Sequence, residues 1–373
     1  MVKKKYSAVG VYVSAGGPTI GVSNHLNVLA HYTDGQFGYD TRQENFPNIR
    51  EFTDPDHWPT ASVDYMYCAP PCAPFSSLGK RGVNWENDPK IKKAYQALHH
   101  GLEVQPKIWM QESVPNFYKK ATSFIEEAEE AWTSLGYQVT HFITGGILHG
   151  VPQRRIRWHM FASKVKLVFP DELGPRVLTM REAYRVYGPP SKKNTEQMPS
   201  NARVDALQKW APNGCKYRDV YTHLTGIQDN EVGLYAGVPH FSLRRGEWDR
   251  SVPTLVGTPR VYMPSPEQRL YSLAEGMVMC AYPRDFHFVA KNVRDAYDQL
   301  AKGIMPPLGD YLGKVARASL DEGIRIRKPK APEVVDWSHA ARSATRGSDK
   351  PIPKMPPKLF GIKSKWLVRK RDE

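Results

Sequence analysis

The alternation of strand-like and helical patterns over the first 165 residues constrains this chain most. Apolar, β-rich runs occur at 6–13 (YSAVGVYV), 63–69, 106–112 (PKIWMQE), 138–144 (QVTHFIT) and about 156–162, with helical patterns between them. Strands alternating with helices imply an α/β domain whose mostly parallel sheet is covered on both faces. The clearest helical pattern spans 118–135, where Ala121, Phe124, Ile125, Ala128, Ala131, Trp132 and Leu135 share one face and Gly136 offers a stop. Beyond about residue 165 the pattern dissolves into polar, Pro- and Gly-punctuated sequence, which predicts a smaller, irregular unit. A last helical pattern near 266–280 precedes Pro306-Pro307, read as a stop. The expected divisions are 1–165, 166–250, 251–320 and a basic tail at 321–373.

Composition narrows the class. The chain has 373 residues, 40% of them apolar and 11% aromatic, enough for a large α/β domain with a second, smaller one. No apolar run approaches a membrane span, and the start MVKKKYSAVGVYV passes directly into a strand-like segment, so a cytoplasmic protein with no membrane partner is expected. Cys68, Cys72, Cys215 and Cys280 show no metal-ligand pairing and no HExxH occurs, so reduced thiols and no metal are expected. Net charge is +14, and residues 324–373 carry fourteen Lys/Arg against five Asp/Glu. That proline-rich stretch reads as a flexible or loosely docked basic arm for a polyanion, nucleic acid above all, although solvated basic tails without a specific partner are common.

Four local patterns carry chemistry. In VDYMYCAPPCAPFSS, Val63, Tyr65 and Tyr67 alternate as a strand that ends at Pro70-Pro71, with Cys72 next. Two prolines fix φ and remove two backbone donors, so the thiol sits in a stiff loop outside the sheet. Buried free cysteines are usually small hydrophobes, and such a residue needs no mount of this kind. QESVPNF places Glu112 at a strand end, where an active-site carboxylate belongs in an open α/β sheet, or else a solvated one. In GVPQRRIRWHM, Arg155 and Arg157 lie two apart and so on one strand face, with Gln153 continuing the row; such a pair asks for an anion, a carbonyl-rich ligand or acidic partners. Gly16, Gly17 and Gly21 after the first strand let backbone amides approach a carboxylate or phosphate.

Taken in order, the glycine loop, Pro-Pro-Cys, Glu-x-Val and Gln-x-Arg-x-Arg resemble the cytosine-5 DNA methyltransferases, over about residues 8–165 and 250–318. Residues 166–250 correspond to the variable target-recognition domain of that family. The resemblance implies a Rossmann-like fold that uses S-adenosylmethionine and acts on double-stranded DNA, here expected as a monomer. It makes Cys72 the nucleophile that adds to C6 of a flipped cytosine and Glu112 the acid at N3. Arg155 and Arg157 would grip the base O2 and order the site, while Ser76, Gln153 and Thr254 would contact nucleic acid. Ser14, Gly16, Gly17, Asp34 and Asp54 would line the cofactor site, with Thr33 standing where the ribose acid is expected. The chemistry requires such groups: C5 of cytosine is a poor nucleophile until a thiolate adds at C6 and N3 takes a proton, and the ring edge is out of reach inside a duplex.

The departures from the family are as informative. The usual phenylalanine and third glycine of the cofactor loop are absent, Ala73 follows Cys72, and Ser113 follows Glu112. A Gly-Asn pair near the transferred carbon becomes Ala301-Lys302. These departures lean toward a phage-type member. A lysine beside a sulfonium is unfavourable unless an anion lies between them. One reading is therefore that Lys302 pairs with the carboxylate of carboxy-S-adenosylmethionine, giving 5-carboxymethylcytosine; the other is that Lys302 points elsewhere and methyl transfer is ordinary. An RNA cytosine-5 methyltransferase and a catalytically inactive DNA-binding homologue are the alternatives in function.

Overall fold

In a computed structural model, the described residues are 6–35, 37–75, 88–171, 179–190, 244–257, 261–264 and 269–344. Eight strands form one sheet in the order β10-β6-β7-β5-β4-β1-β2-β3. They are β1 (Ser7–Val11), β2 (Asn27–Tyr32), β3 (Arg50–Phe52), β4 (Tyr65–Cys68), β5 (Ile108–Ser113), β6 (Gln138–Gly145), β7 (Ile156–Ser163) and, nearer the end of the chain, β10 (Glu333–Asp336). Only β7 runs against its neighbours, antiparallel to both β5 and β6. Strand order reverses at β1, which pairs with β2 on one side and β4 on the other, so the loops after these strands open onto one crevice. The predicted mostly parallel sheet is present, and the expected strands lie within two residues of their expected bounds.

Helices cover both faces. On one, α3 (Ile91–Val104), α4 (Pro115–Lys120) and α5 (Thr122–Ser134) bury Leu98, Phe117, Phe124 and Trp132 against Met66, Trp109 and Trp158 of the sheet. The expected helix at 118–135 is thus two helices, because Ala121 leaves helical geometry at φ −87°, ψ 51°. The break lets Phe117 and Phe124 both face the core, their ring centroids 5.1 Å apart. Between β2 and β3 lies α2 (Tyr39–Asn45).

On the other face, α1 (Gly17–Val22) lies against a 17-residue helix, Pro306–Glu322. Pro306-Pro307 therefore starts a helix where a stop was expected; in the first turn the missing N–H groups would have had no intrahelical acceptor, so proline is tolerated there. The two helices cross on glycines. A Cβ at Gly21 would lie 2.0 Å from the Asp310 nitrogen, and one at Gly309 2.6 Å from the Pro18 carbonyl oxygen.

A second apolar cluster joins Val151 to the chain on either side of residues 191–243. It holds Met180 and Ala183 of α6 (Met180–Val186), Leu255, Val261, and Met277 of the helix Leu273–Met279, here α7. The last is the core of the pattern expected at 266–280, and Ser272 and Glu275 cap it reciprocally. Two short parallel strands, β8 (Arg244–Arg245) and β9 (Val261–Tyr262), belong to this unit. Helices α8 (Val293–Ala301) and α9 (Pro306–Glu322) lead the chain back onto the sheet.

One boundary needs correction. The expected loose arm from 321 contains β10, paired in parallel with β6, and α10 (Ser338–Ala344), whose Ala340 and Ala341 are buried. A four-residue strand and a seven-residue, alanine-rich helix give little periodic signal, and the surrounding prolines and cations hid them. Residues 345–373, the rest of that arm, lie outside the described residues.

Candidate active site

The carboxyl edge of the sheet gathers most of the residues singled out from sequence. Backbone pairing carries β1 and β4 to the same level: Val11 is opposite Cys68, and the Ala69 amide donates to the Val11 carbonyl at 2.9 Å. Pro70 and Pro71 cannot continue the ladder, so the chain turns out of the sheet and presents Cys72, half-buried, ahead of a one-turn helix at Ala73–Phe75. Phe75 anchors this turn. Its ring meets Phe117 at 4.6 Å, and Phe117 stacks on Trp158 of β7 at 5.6 Å. The thiol loop is thereby fixed to the strands that carry the other candidates.

Glu112, 2% exposed, lies near the end of β5, opposite His159 of β7. Its Oε1 is 2.8 Å from the Arg157 Nε, an ion pair without an aligned hydrogen bond. Burial pushes Glu112 above the ordinary carboxylate range, against the pull of Arg157 and Arg155. Burial also pushes His159 down to about 3, so this neighbour is neutral and positive charge at the site comes from the arginines. The Cys72 thiol is raised by burial and then by Glu112, while Arg157 and Arg155 oppose the shift.

Arg155 is not on the same strand face as Arg157. It precedes β7 with φ 28°, and its guanidinium is buried. Nη1 donates to the Leu255 carbonyl at 3.2 Å, and Nη2 donates to those of Ala301 (2.9 Å) and Gly303 (2.8 Å). Three carbonyls from the returning chain therefore occupy it. Burial lowers its proton affinity only to about 10, so it stays charged.

Gln153 is fully buried: Nε2 donates to the Met279 carbonyl at 2.6 Å, and Oε1 accepts from the Leu255 amide at 2.9 Å. With both ends occupied inside the protein, it is a brace between the two cores rather than a nucleic-acid contact. Thr254, half-buried, is adjacent to the Leu255 that Gln153 and Arg155 both hold. Ser76 lies outside the described residues, as do Cys215 and residues 191–243.

The loop after β1 holds Ser14 at φ 53° and Gly16 at φ 90°, and its Gly17 packs against the Ile304 carbonyl. Asp34 follows β2 and pairs with Lys93; Asp54 follows β3, 62% exposed, with its carboxylate 2.7 Å from the His57 Nδ1. Lys302 is 49% exposed, pairs with Asp298 one turn earlier and lies 4.4 Å from the centroid of the Phe37 ring. A protein carboxylate already serves it. Among the described residues no cluster of three or more His, Cys, Asp or Glu is arranged to hold a metal. None of their helices is long and apolar enough to cross a membrane.

Residues 36–317 match the family model described as C-5 cytosine-specific DNA methylase. The chain belongs to this family. The methylase is 22% identical over 326 residues to Type II methyltransferase M1.HphI of Haemophilus parahaemolyticus, covering 80% of this chain and 83% of that protein. It is 24% identical over 291 residues to Type II methylase M.HgiDII of Herpetosiphon aurantiacus, covering 70% and 77%. Its fold resembles that of a prophage-encoded protein (E. coli) assigned as a DNA modification methyltransferase, with TM-score 0.62 and 17% identity over 85% of this chain and all (100%) of that one. It also resembles the Entamoeba histolytica methyltransferase EhMeth, with TM-score 0.60, 12% identity and coverage of 85% and 99%.

Membership in this family implies S-adenosylmethionine, and the groups at the crevice suit it. The Gly16 amide is used within the loop, donating to the Val13 carbonyl at 2.9 Å, but the amides of Ser14, Ala15 and Gly17 suit a carboxylate, and Asp34 and Asp54 at the next two strand ends suit hydroxyl and amino groups. The residue that sequence reading missed is Arg42 of α2, buried beneath this loop; a lone arginine in a polar stretch gave no periodic or motif signal.

Proposed function

We propose that this protein methylates C5 of cytosine in double-stranded DNA, with Cys72 as the nucleophile. The observation that supports this most is the pairing of Glu112 with Arg157 at 2.8 Å on facing strands, next to a thiol that two prolines hold out of the sheet. Bound S-adenosylmethionine supplies an electrophilic methyl group on a sulfonium. In the proposed course the Cys72 thiolate adds to C6 while Glu112, whose proton affinity burial raises, gives a proton to N3. Electron density then accumulates at C5, which takes the methyl group. A water or hydroxide removes the C5 proton, the C6–S bond breaks, and N3 returns its proton to Glu112. Arg157 keeps Glu112 in place, and Arg155 holds the returning chain that closes the site. The target base has to be flipped to reach Cys72.

The methyl donor is favoured over its carboxy analogue by the position of Lys302. Its ammonium pairs with Asp298 and covers Phe37, so no second carboxylate is needed to neutralise it. Mass spectrometry of nucleosides from duplex DNA incubated with either donor tests this directly, with Cys72→Ala as control. The expected product is 5-methylcytosine from S-adenosylmethionine alone. Carboxymethylcytosine would restore Lys302 as a donor-selecting residue, and product on tRNA but not on duplex DNA would overturn the DNA assignment.

A further inference from the structure

Beneath the β1–α1 loop lies a buried polar chain that the proposed chemistry does not use. Arg42 is 1% exposed, and its Nε and Nη2 donate to Oε1 and Oε2 of Glu51 at 2.8 and 2.9 Å. Its Nη1 donates to the carbonyls of Ser14 and Phe37. Glu51 is held in turn by the His31 Nδ1 at 2.7 Å, and the His31 Nε2 is 2.9 Å from the Thr19 hydroxyl, which lies 2.8 Å from the Tyr67 hydroxyl. Burial disfavours a charged His31, though Glu51 opposes this. With a neutral ring one proton assignment satisfies every group: Tyr67 donates to Thr19, Thr19 to the His31 Nε2, and the His31 Nδ1–H to Glu51. Burial raises Glu51, yet the hydrogen bonds from His31 and Arg42 outweigh it and keep the carboxylate ionised. The chain ends at Arg42 with a compensated charge whose remaining donors reach two loop carbonyls and, at 3.5 Å, the Thr33 hydroxyl of the second loop.

Those carbonyls belong to the loops that follow β1 and β2. Tyr12 and Ser14 adopt φ 53°, in the left-handed region that a non-glycine residue occupies at a cost of about 1–3 kcal/mol unless its surroundings impose it. The second loop presses on the same atom: a Cβ at Gly38 would lie 2.6 Å from the Ser14 carbonyl oxygen. We propose that Arg42, locked by Glu51 and His31, is a positioning residue that keeps both loops in the shape that receives the methyl donor. This rests on the reading that the donor occupies the crevice at these loops.

The test compares Arg42→Lys and the nearly isosteric Thr19→Val with the wild type. Calorimetric affinity for S-adenosylmethionine is measured alongside kcat and the KM values for donor and DNA. Arg42→Lys is expected to raise Kd and KM for the donor by about tenfold or more. Its kcat at saturating donor should stay within about threefold of wild type and its KM for DNA should not move. Thr19→Val should shift the donor constants in the same direction by less. Folded Arg42→Lys with wild-type donor affinity, or with kcat lost at unchanged donor KM, overturns the proposal. If Arg42→Lys does not fold, Thr19→Val decides: unchanged donor constants overturn it. A wild type that binds no S-adenosylmethionine overturns the donor reading itself, and this inference with it.

Discussion

Glu112 Oε1 and Arg157 Nε lie 2.8 Å apart, so the carboxylate that raises the Cys72 thiol and an arginine that lowers it are held as one pair. In the free protein burial and Glu112 prevail, and Cys72 holds its proton above the ordinary thiol range. Thiolate forms as pH rises through that raised value, so alkylation of Cys72 by iodoacetamide should be slow at neutral pH and accelerate on the alkaline side. Glu112→Gln should move the rate profile to lower pH and Arg157→Met to higher pH, read by peptide mass spectrometry at Cys72. Equal profiles for both variants would show that the pair does not govern the thiol.

Arg155 ties the start of β7 to Leu255, Ala301 and Gly303, far along the chain. Arg155→Met would leave three carbonyls without their donor and is expected to destabilise the protein by about 2–4 kcal/mol. Denaturant melts followed at tryptophan would read the loss. A stability equal to wild type would mean that water replaces the guanidinium.

At the α1–α9 crossing a methyl on Gly21 meets backbone, which cannot rotate away. Gly21→Ala is therefore expected to cost about 2–3 kcal/mol through overpacking. Ser23→Ala, just beyond the contact, serves as the control and should leave the melting temperature nearly unchanged.

Residues 345–373 carry nine Lys/Arg against three Asp/Glu. Deletion after Ala344 keeps β10 and α10, and is expected to weaken binding to duplex DNA at low salt and to flatten the dependence of log K on log salt. The full chain and the truncation should converge in affinity as salt rises. An unchanged slope would assign phosphate contacts elsewhere.

How much of this was legible in the sequence depended on whether the signal was local. Strands β1, β4, β5, β6 and β7 and the mounts of Cys72 and Glu112 were legible, because alternation, paired prolines and a strand end are short-range features, whereas β2, β3 and β10 were not singled out. Arg155 was misplaced because one left-handed residue before β7 shifts it out of the strand face. Gln153 was misread because its partners, Met279 and Leu255, are more than a hundred residues away. Pro306-Pro307 can end one helix or start another, and the choice depends on α1, which only the folded chain brings alongside. Arg42 belongs to a network assembled from β2, β3, β4 and α1, and nothing in its own neighbourhood announces it.

The central claim, that Cys72 bonds covalently to the target base, is tested most directly with duplex DNA containing 5-fluorocytosine. Fluorine at C5 cannot be removed as a proton is, so the adduct cannot resolve. Incubation with S-adenosylmethionine followed by denaturing intact-mass spectrometry should show protein joined to the DNA strand, with the modified peptide mapping to Cys72 and no adduct for Cys72→Ser. Formation of 5-methylcytosine on unmodified duplex with no adduct on the fluorinated one, or an adduct at another cysteine, would contradict the account.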